Sequence, residues 1–102
     1  MGTEYLTRGK FSPPVDRAAV AREWAAQGYS CALFVDPPGR AWNDFVHATG
    51  ELVTVVEGRL EMTVAGQRFT VGPGDEVFIP RDTLHSVENI HHATTRWLYG
   101  YG

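Results

Sequence analysis

At 102 residues the chain has the length of a single domain, and nine Lys and Arg against twelve Asp and Glu give it a formal charge of −3. No basic run is present, so nucleic-acid binding lacks electrostatic support. No apolar stretch approaches the roughly 20 residues of a membrane span, and the single cysteine, Cys31, has no internal disulfide partner. The N-terminus MGTEYLTRGK lacks a signal-peptide core, and Leu6 stands where a myristoylation signal needs Ser or Thr. The expectation is a cytoplasmic globule that does not bind membranes.

A helix is expected over about 17–27. Asp16 is a good N-cap, able to accept hydrogen bonds from unpaired N–H groups of the first turn. Val15 and Val20 stand at the spacing of a hydrophobic staple, alanines fill residues 18–26, and Gly28 suits a left-handed stop. Beyond Gly28 the period changes to that of strands. YSCALFV (29–35) is apolar and β-rich, and VDPPG (35–39) is a turn. Short strands follow at about 42–47, 51–57, 59–65, 67–71, 76–80, 84–89 and 94–101, separated by Gly- and Pro-containing breaks. Within RLEMTV, Leu60, Met62 and Val64 share one face and Arg59, Glu61 and Thr63 the other, as in a half-buried strand. The fold class is all-β, a sandwich or barrel with a short N-terminal helix.

His47 and Glu51 flank Gly50, which suggests a bend that places His47 at the end of one strand and Glu51 at the start of the next. His85 opens a later strand after the turn PRDTL. Two imidazoles and one carboxylate are the donor set that holds non-haem Fe(II) with coordination positions left open, and the same set holds Mn, Ni or Zn. The bland alternative is a hydrogen-bonded polar cluster with no metal.

At these residues the chain resembles the cupin superfamily. Its first motif runs Gly, five residues, His-x-His, three or four residues, Glu, six residues, Gly; here Gly39, Phe45, His47, Glu51 and Gly58 fall at those places. Its second runs Gly, five residues, Pro-x-Gly, two residues, His, three residues, Asn; here Gly74, Pro80, Asp82, His85 and Asn89 do so. The resemblance implies one double-stranded β-helix (jelly-roll) barrel over about 29–101, with His47, Glu51 and His85 as ligands of a divalent transition metal. Phe45 replaces a further ligand, and by strand alternation its ring should stand beside the site. That leaves either an additional open coordination position or a barrel that has given up its metal. Asp82 replaces a glycine and tolerates left-handed backbone.

Trp42, Phe45, Met62, Trp97 and Tyr99 are the expected lining of a small-molecule pocket, while Tyr101 shares the face of Trp97 and Tyr99. His91 and His92 are expected in a solvated loop, and Cys31 as a small apolar side chain. The family contains dioxygenases, isomerases and lyases, so the resemblance implies a metal-dependent enzyme acting on a small organic molecule. A non-catalytic ligand-binding or sensing module is the alternative, and a structural homomer a third. Homodimer formation through sheet edges is a further expectation.

Overall fold

The computed structural model describes residues 4–102. Nine strands and one helix follow in the order β1 (Leu6–Thr7), α1 (Arg17–Ala26), β2 (Ala32–Asp36), β3 (Ala41–Phe45), β4 (Glu51–Glu57), β5 (Leu60–Val64), β6 (Gln67–Val71), β7 (Glu76–Ile79), β8 (His85–Asn89) and β9 (Thr95–Tyr101). They form two antiparallel sheets, β1-β7-β4-β9-β2 and β3-β8-β5-β6. The sheets face one another across a shared apolar core. Val53, Val55, Val77 and Ile79 come from the first sheet, and Leu60, Met62, Val64, Val71 and Val87 from the second. This is the all-β barrel that the strand pattern predicts.

The first sheet is covered on both sides, and strand alternation does the sorting. Along β4, Val53 and Val55 point into the barrel, while Leu52 and Val56 point out to the helix. There they meet Val15, Val20, Trp24 and Leu98. The helix buries only Val20 and Trp24, one turn apart, so its apolar stripe is narrow. Polar ties supplement it. Asp16 caps the first turn by accepting from Ala18 N and Ala19 N, and Trp24 Nε1 donates to buried Glu76 Oε2 at 2.9 Å. Gly28, at φ 85°, ends the helix, with its N–H on the Ala25 carbonyl and that of Tyr29 on the Trp24 carbonyl.

Two motif glycines are required by close approach. Gly58 has φ 108°, and the Thr95 side chain occupies the space a Cβ would need. Gly74 has φ 88°, with the Phe11 carbonyl pressed against it. Asn89 explains its own place in the motif. It is fully buried, and its amide donates to the carbonyls of Asp36, Pro37 and Ala93 at 2.9–3.2 Å. Its Oδ1 accepts from Thr95 Oγ1 and His91 N. One side chain thus ties the turn after β2 to the loop before β9.

Three elements differ from the sequence expectations. The two-residue β1, paired with β7, was not expected at all. The strand beginning after Gly28 starts only at Ala32. The strand expected over 42–47 stops at Phe45, because Asp44 adopts left-handed backbone at φ 59° and shifts the register against β8. His47 therefore lies in the loop beyond β3. Among the described residues no helix is long and apolar enough to cross a membrane.

Candidate metal centre

His47, Glu51 and His85 converge from three elements. Glu51 opens β4 in one sheet, His85 opens β8 in the other, and His47 sits in the loop between β3 and β4. Their donor atoms all lie within 4.8 Å of one another. Glu51 Oε1 is 3.5 Å from His47 Nε2 and 3.5 Å from His85 Nε2. Glu51 and His85 are buried and His47 is about one-third exposed, so the cluster is reached from the His47 side. The loop is held from across the barrel: Asp82 N donates to the His47 carbonyl at 2.7 Å. Asp82 makes that bond from left-handed backbone at φ 57°, the conformation for which glycine is the usual choice and which Asp tolerates.

The electrostatics fit a bound cation. His85 Nδ1 meets the Thr83 carbonyl at 3.0 Å. A carbonyl only accepts, so Nδ1 carries the proton and the Nε2 lone pair faces Glu51. Burial lowers the His85 pKa, favouring the neutral ring that a metal requires. Glu51 Oε1 is buried and has no hydrogen-bond partner among the described residues, and burial raises the Glu51 pKa from 4.5 to about 7. An acceptor nitrogen thus opposes an acceptor oxygen, an arrangement that a positive charge between them relieves. Metal–nitrogen and metal–oxygen bonds of about 2.0–2.2 Å separate neighbouring donors by about 3 Å or slightly more, so the two 3.5 Å contacts of Glu51 need only a small contraction. A carbonyl-anchored imidazole is also the usual way a protein aims a metal-binding histidine.

Beside the cluster lies a cavity of about 200 Å³. Its wall is a closed circuit of seven rings. Phe34 touches Trp42 (centroids 5.6 Å apart), Trp42 touches Phe45 (6.1 Å), and Phe45 stacks on His47 (6.1 Å). His47 meets Tyr101 (5.1 Å), Tyr101 meets Tyr99 (5.9 Å), Tyr99 meets Trp97 (5.7 Å), and Trp97 returns to Phe34 (5.4 Å). Glu51, His85 and Val87 complete the lining. Phe45 does place its ring at the site, 6.2 Å from that of His85.

Of the residues expected at the pocket, Trp42, Phe45, Trp97 and Tyr99 line it. Met62 does not: it is fully buried in the core between the sheets. Its strand face is the one expected, but alternation reports the face and says nothing of depth along the barrel. Phe34, Val87 and Tyr101 join the lining without having been assigned to it. For Phe34 the missing information is register, which sets it opposite Trp97; Tyr101 follows from the alternation of β9. Trp42 and Phe45 are three residues apart, so strict alternation would put them on opposite faces; the shift at Asp44 brings both to the cavity.

The cupin domain family model (Cupin_2) matches residues 32–101, and the chain belongs to that family. An uncharacterised protein of Methanocaldococcus jannaschii is 39% identical over 52 residues, 51% of this chain and 42% of that protein. Among solved structures, a cupin 2 domain-containing protein of Halorhodospira halophila superposes with a TM-score of 0.67 at 20% identity, covering 72% of this chain and 51% of that one. The Cupin_2 domain of an XRE family transcriptional regulator of Enterobacter cloacae gives 0.66 at 22% identity, covering 76% and 85%. These structural likenesses establish the fold. The chain spans less than half the length of the Methanocaldococcus protein and about half that of the Halorhodospira chain.

Proposed function

We propose that the chain is a small metal-dependent enzyme, in which His47, Glu51 and His85 hold one divalent transition metal (Fe, Mn, Ni or Zn) beside a cavity for a small organic molecule. The observation that carries this reading is the buried Oε1 of Glu51, without a hydrogen-bond partner among the described residues, facing two imidazole nitrogens at 3.5 Å. A metal so held supplies a Lewis-acid centre with open coordination positions. The chain's own residues do the rest. Thr83 orients His85, Asp82 anchors the His47 loop, and the ring wall excludes water and fits the ligand. Phe45, standing where a further donor would be, keeps the ligand set at three.

Protein purified without added metal, measured by elemental analysis, tests this. The expected result is near-stoichiometric transition metal that is lost in His47→Ala and in His85→Ala. Metal-free wild type that also fails to take up Fe, Mn, Ni or Zn on titration would overturn it. A non-catalytic binding or sensing module is the second reading. It is favoured by the cavity's poverty in acid–base groups, which beyond the ligand set are the phenols of Tyr99 and Tyr101. We also infer a homodimer, since β2 ends its sheet and, among the described residues, no strand other than β9 pairs with it; a light-scattering mass of one chain would count against it.

A further inference from the structure

We propose that the cavity takes an uncharged, single-ring arene bearing a hydroxyl, held within the circuit of rings with its polar edge toward His47, Glu51 and His85. Size, lining and charge converge on this class. The volume of about 200 Å³ suits one six-membered ring, since an apolar protein cavity of about 150 Å³ takes up benzene. The wall is built from ring against ring at 5.1–6.1 Å between centroids, the separations at which a further ring gains edge and face contacts. An aliphatic ring of equal size makes no such contacts.

Charge narrows the class. Neither Lys nor Arg lines the cavity, so away from the edge formed by His47, Glu51 and His85 an anionic group on the ligand finds no fixed counter-charge. The nearby guanidinium of Arg40 is stacked on the Trp42 ring, 4.0 Å from its centroid, and is not part of the lining. A cationic ligand is excluded by the metal itself, a step that rests on the function proposed above. The polarity is lopsided in the same sense. The Glu51 carboxyl and the two imidazoles stand together, while Phe34, Trp42, Val87 and Trp97 offer mainly apolar surface. A hydroxyl on one edge of the ring matches that division.

Isothermal titration calorimetry with phenol, on chelator-treated protein and on zinc-loaded protein, tests the proposal. Phenol is expected to bind at one site in both preparations. Cyclohexanol, benzenesulfonate and tetramethylammonium are expected to bind the zinc-loaded protein about ten-fold more weakly or worse. Phe45→Leu, at a partly exposed position that spares the ligand set, is expected to weaken phenol binding about three- to ten-fold with zinc content unchanged. Absence of phenol binding, equal binding of any of the three comparison compounds, or an unaltered Phe45→Leu variant would overturn the proposal. Metal uptake measured on the same protein separates the two readings. Phenol binding by protein that takes up none of Zn, Fe, Mn or Ni sinks the metal centre and sustains the arene site; metal uptake without phenol binding does the reverse.

Discussion

Nε2 of His85 faces Oε1 of Glu51 at 3.5 Å, and each belongs to a different sheet of the barrel. The opposite nitrogen of the same imidazole is committed to the Thr83 carbonyl, so the ring cannot turn to relieve the contact without losing a hydrogen bond. With Glu51 ionised, the protein holds two lone pairs against each other, and a proton or a metal cation between them relieves the contact. A site arranged in this way is strained toward binding something positive.

The strain gives a pH dependence whose sign can be stated. Burial raises the pKa of Glu51 from 4.5 to about 7, so between those values the folded, metal-free protein binds a proton that the unfolded chain has released. Stability therefore falls as pH rises through that window, by on the order of 3 kcal/mol for a shift of this size. His85 acts oppositely: its folded pKa lies below 6.5, so stability is lost as pH falls below that value. Below 6.5 the two groups oppose one another, while above it only the Glu51 limb remains, so metal-free protein should be less stable at pH 8 than at pH 6; urea denaturation at pH 5, 6 and 8 measures both limbs.

Replacing the carboxylate separates stability from function. Glu51→Gln keeps the shape but removes the buried charge, and is expected to raise metal-free stability at pH 8 by about 1–3 kcal/mol. The same variant should lose bound metal. Parallel denaturation curves and elemental analysis check both outcomes; a Glu51→Gln protein less stable than wild type at pH 8 would show that the ionised carboxylate is stabilised in the metal-free state.

Phe45→His restores a donor at the one departure from the ligand pattern. Its ring would lie where Phe45 now stacks on His47. Metal affinity is expected to rise about ten-fold or more, and competition with a chromophoric chelator measures it. An unchanged affinity would mean that the shift at Asp44 aims this position away from the metal.

Asn89→Ala removes three donated and two accepted hydrogen bonds from a fully buried site. A loss of about 3 kcal/mol is expected from the carbonyls left unpaired. Asn89→Asp should cost at least as much, because a carboxylate cannot donate to those carbonyls. Thermal unfolding followed by circular dichroism distinguishes this from a surface effect, which would be within about 0.5 kcal/mol.

Much of this molecule is legible in its sequence, for reasons visible at particular residues. Strands 51–57 and 67–71 lie where alternation and turn residues put them, and the Asp16 cap and the Gly28 stop are local chemistry. The ligand cluster follows from motif spacing, because a barrel of fixed strand lengths converts spacing into position. What could not be read depends on contacts between distant segments. The pairing of Phe34 with Trp97 is a matter of register, and the left-handed backbone at Asp44, which turns both Trp42 and Phe45 inward, is a conformation that Asp permits without requiring. Met62 shows the same limit, since its period is right while its depth is not.

The three tryptophans are divided between two compartments, which makes the chain its own optical gauge. Trp42 and Trp97 belong to the cavity wall, whereas Trp24 lies fully buried beyond the first sheet, under the helix, with its indole N–H on Glu76. Contents of the cavity therefore change the surroundings of two emitters and leave the third as an internal reference. With Tyr99 and Tyr101 beside Trp97, tyrosine excitation has a short path to a wall tryptophan. Filling or emptying of the barrel should be readable from intrinsic emission alone, with no label attached.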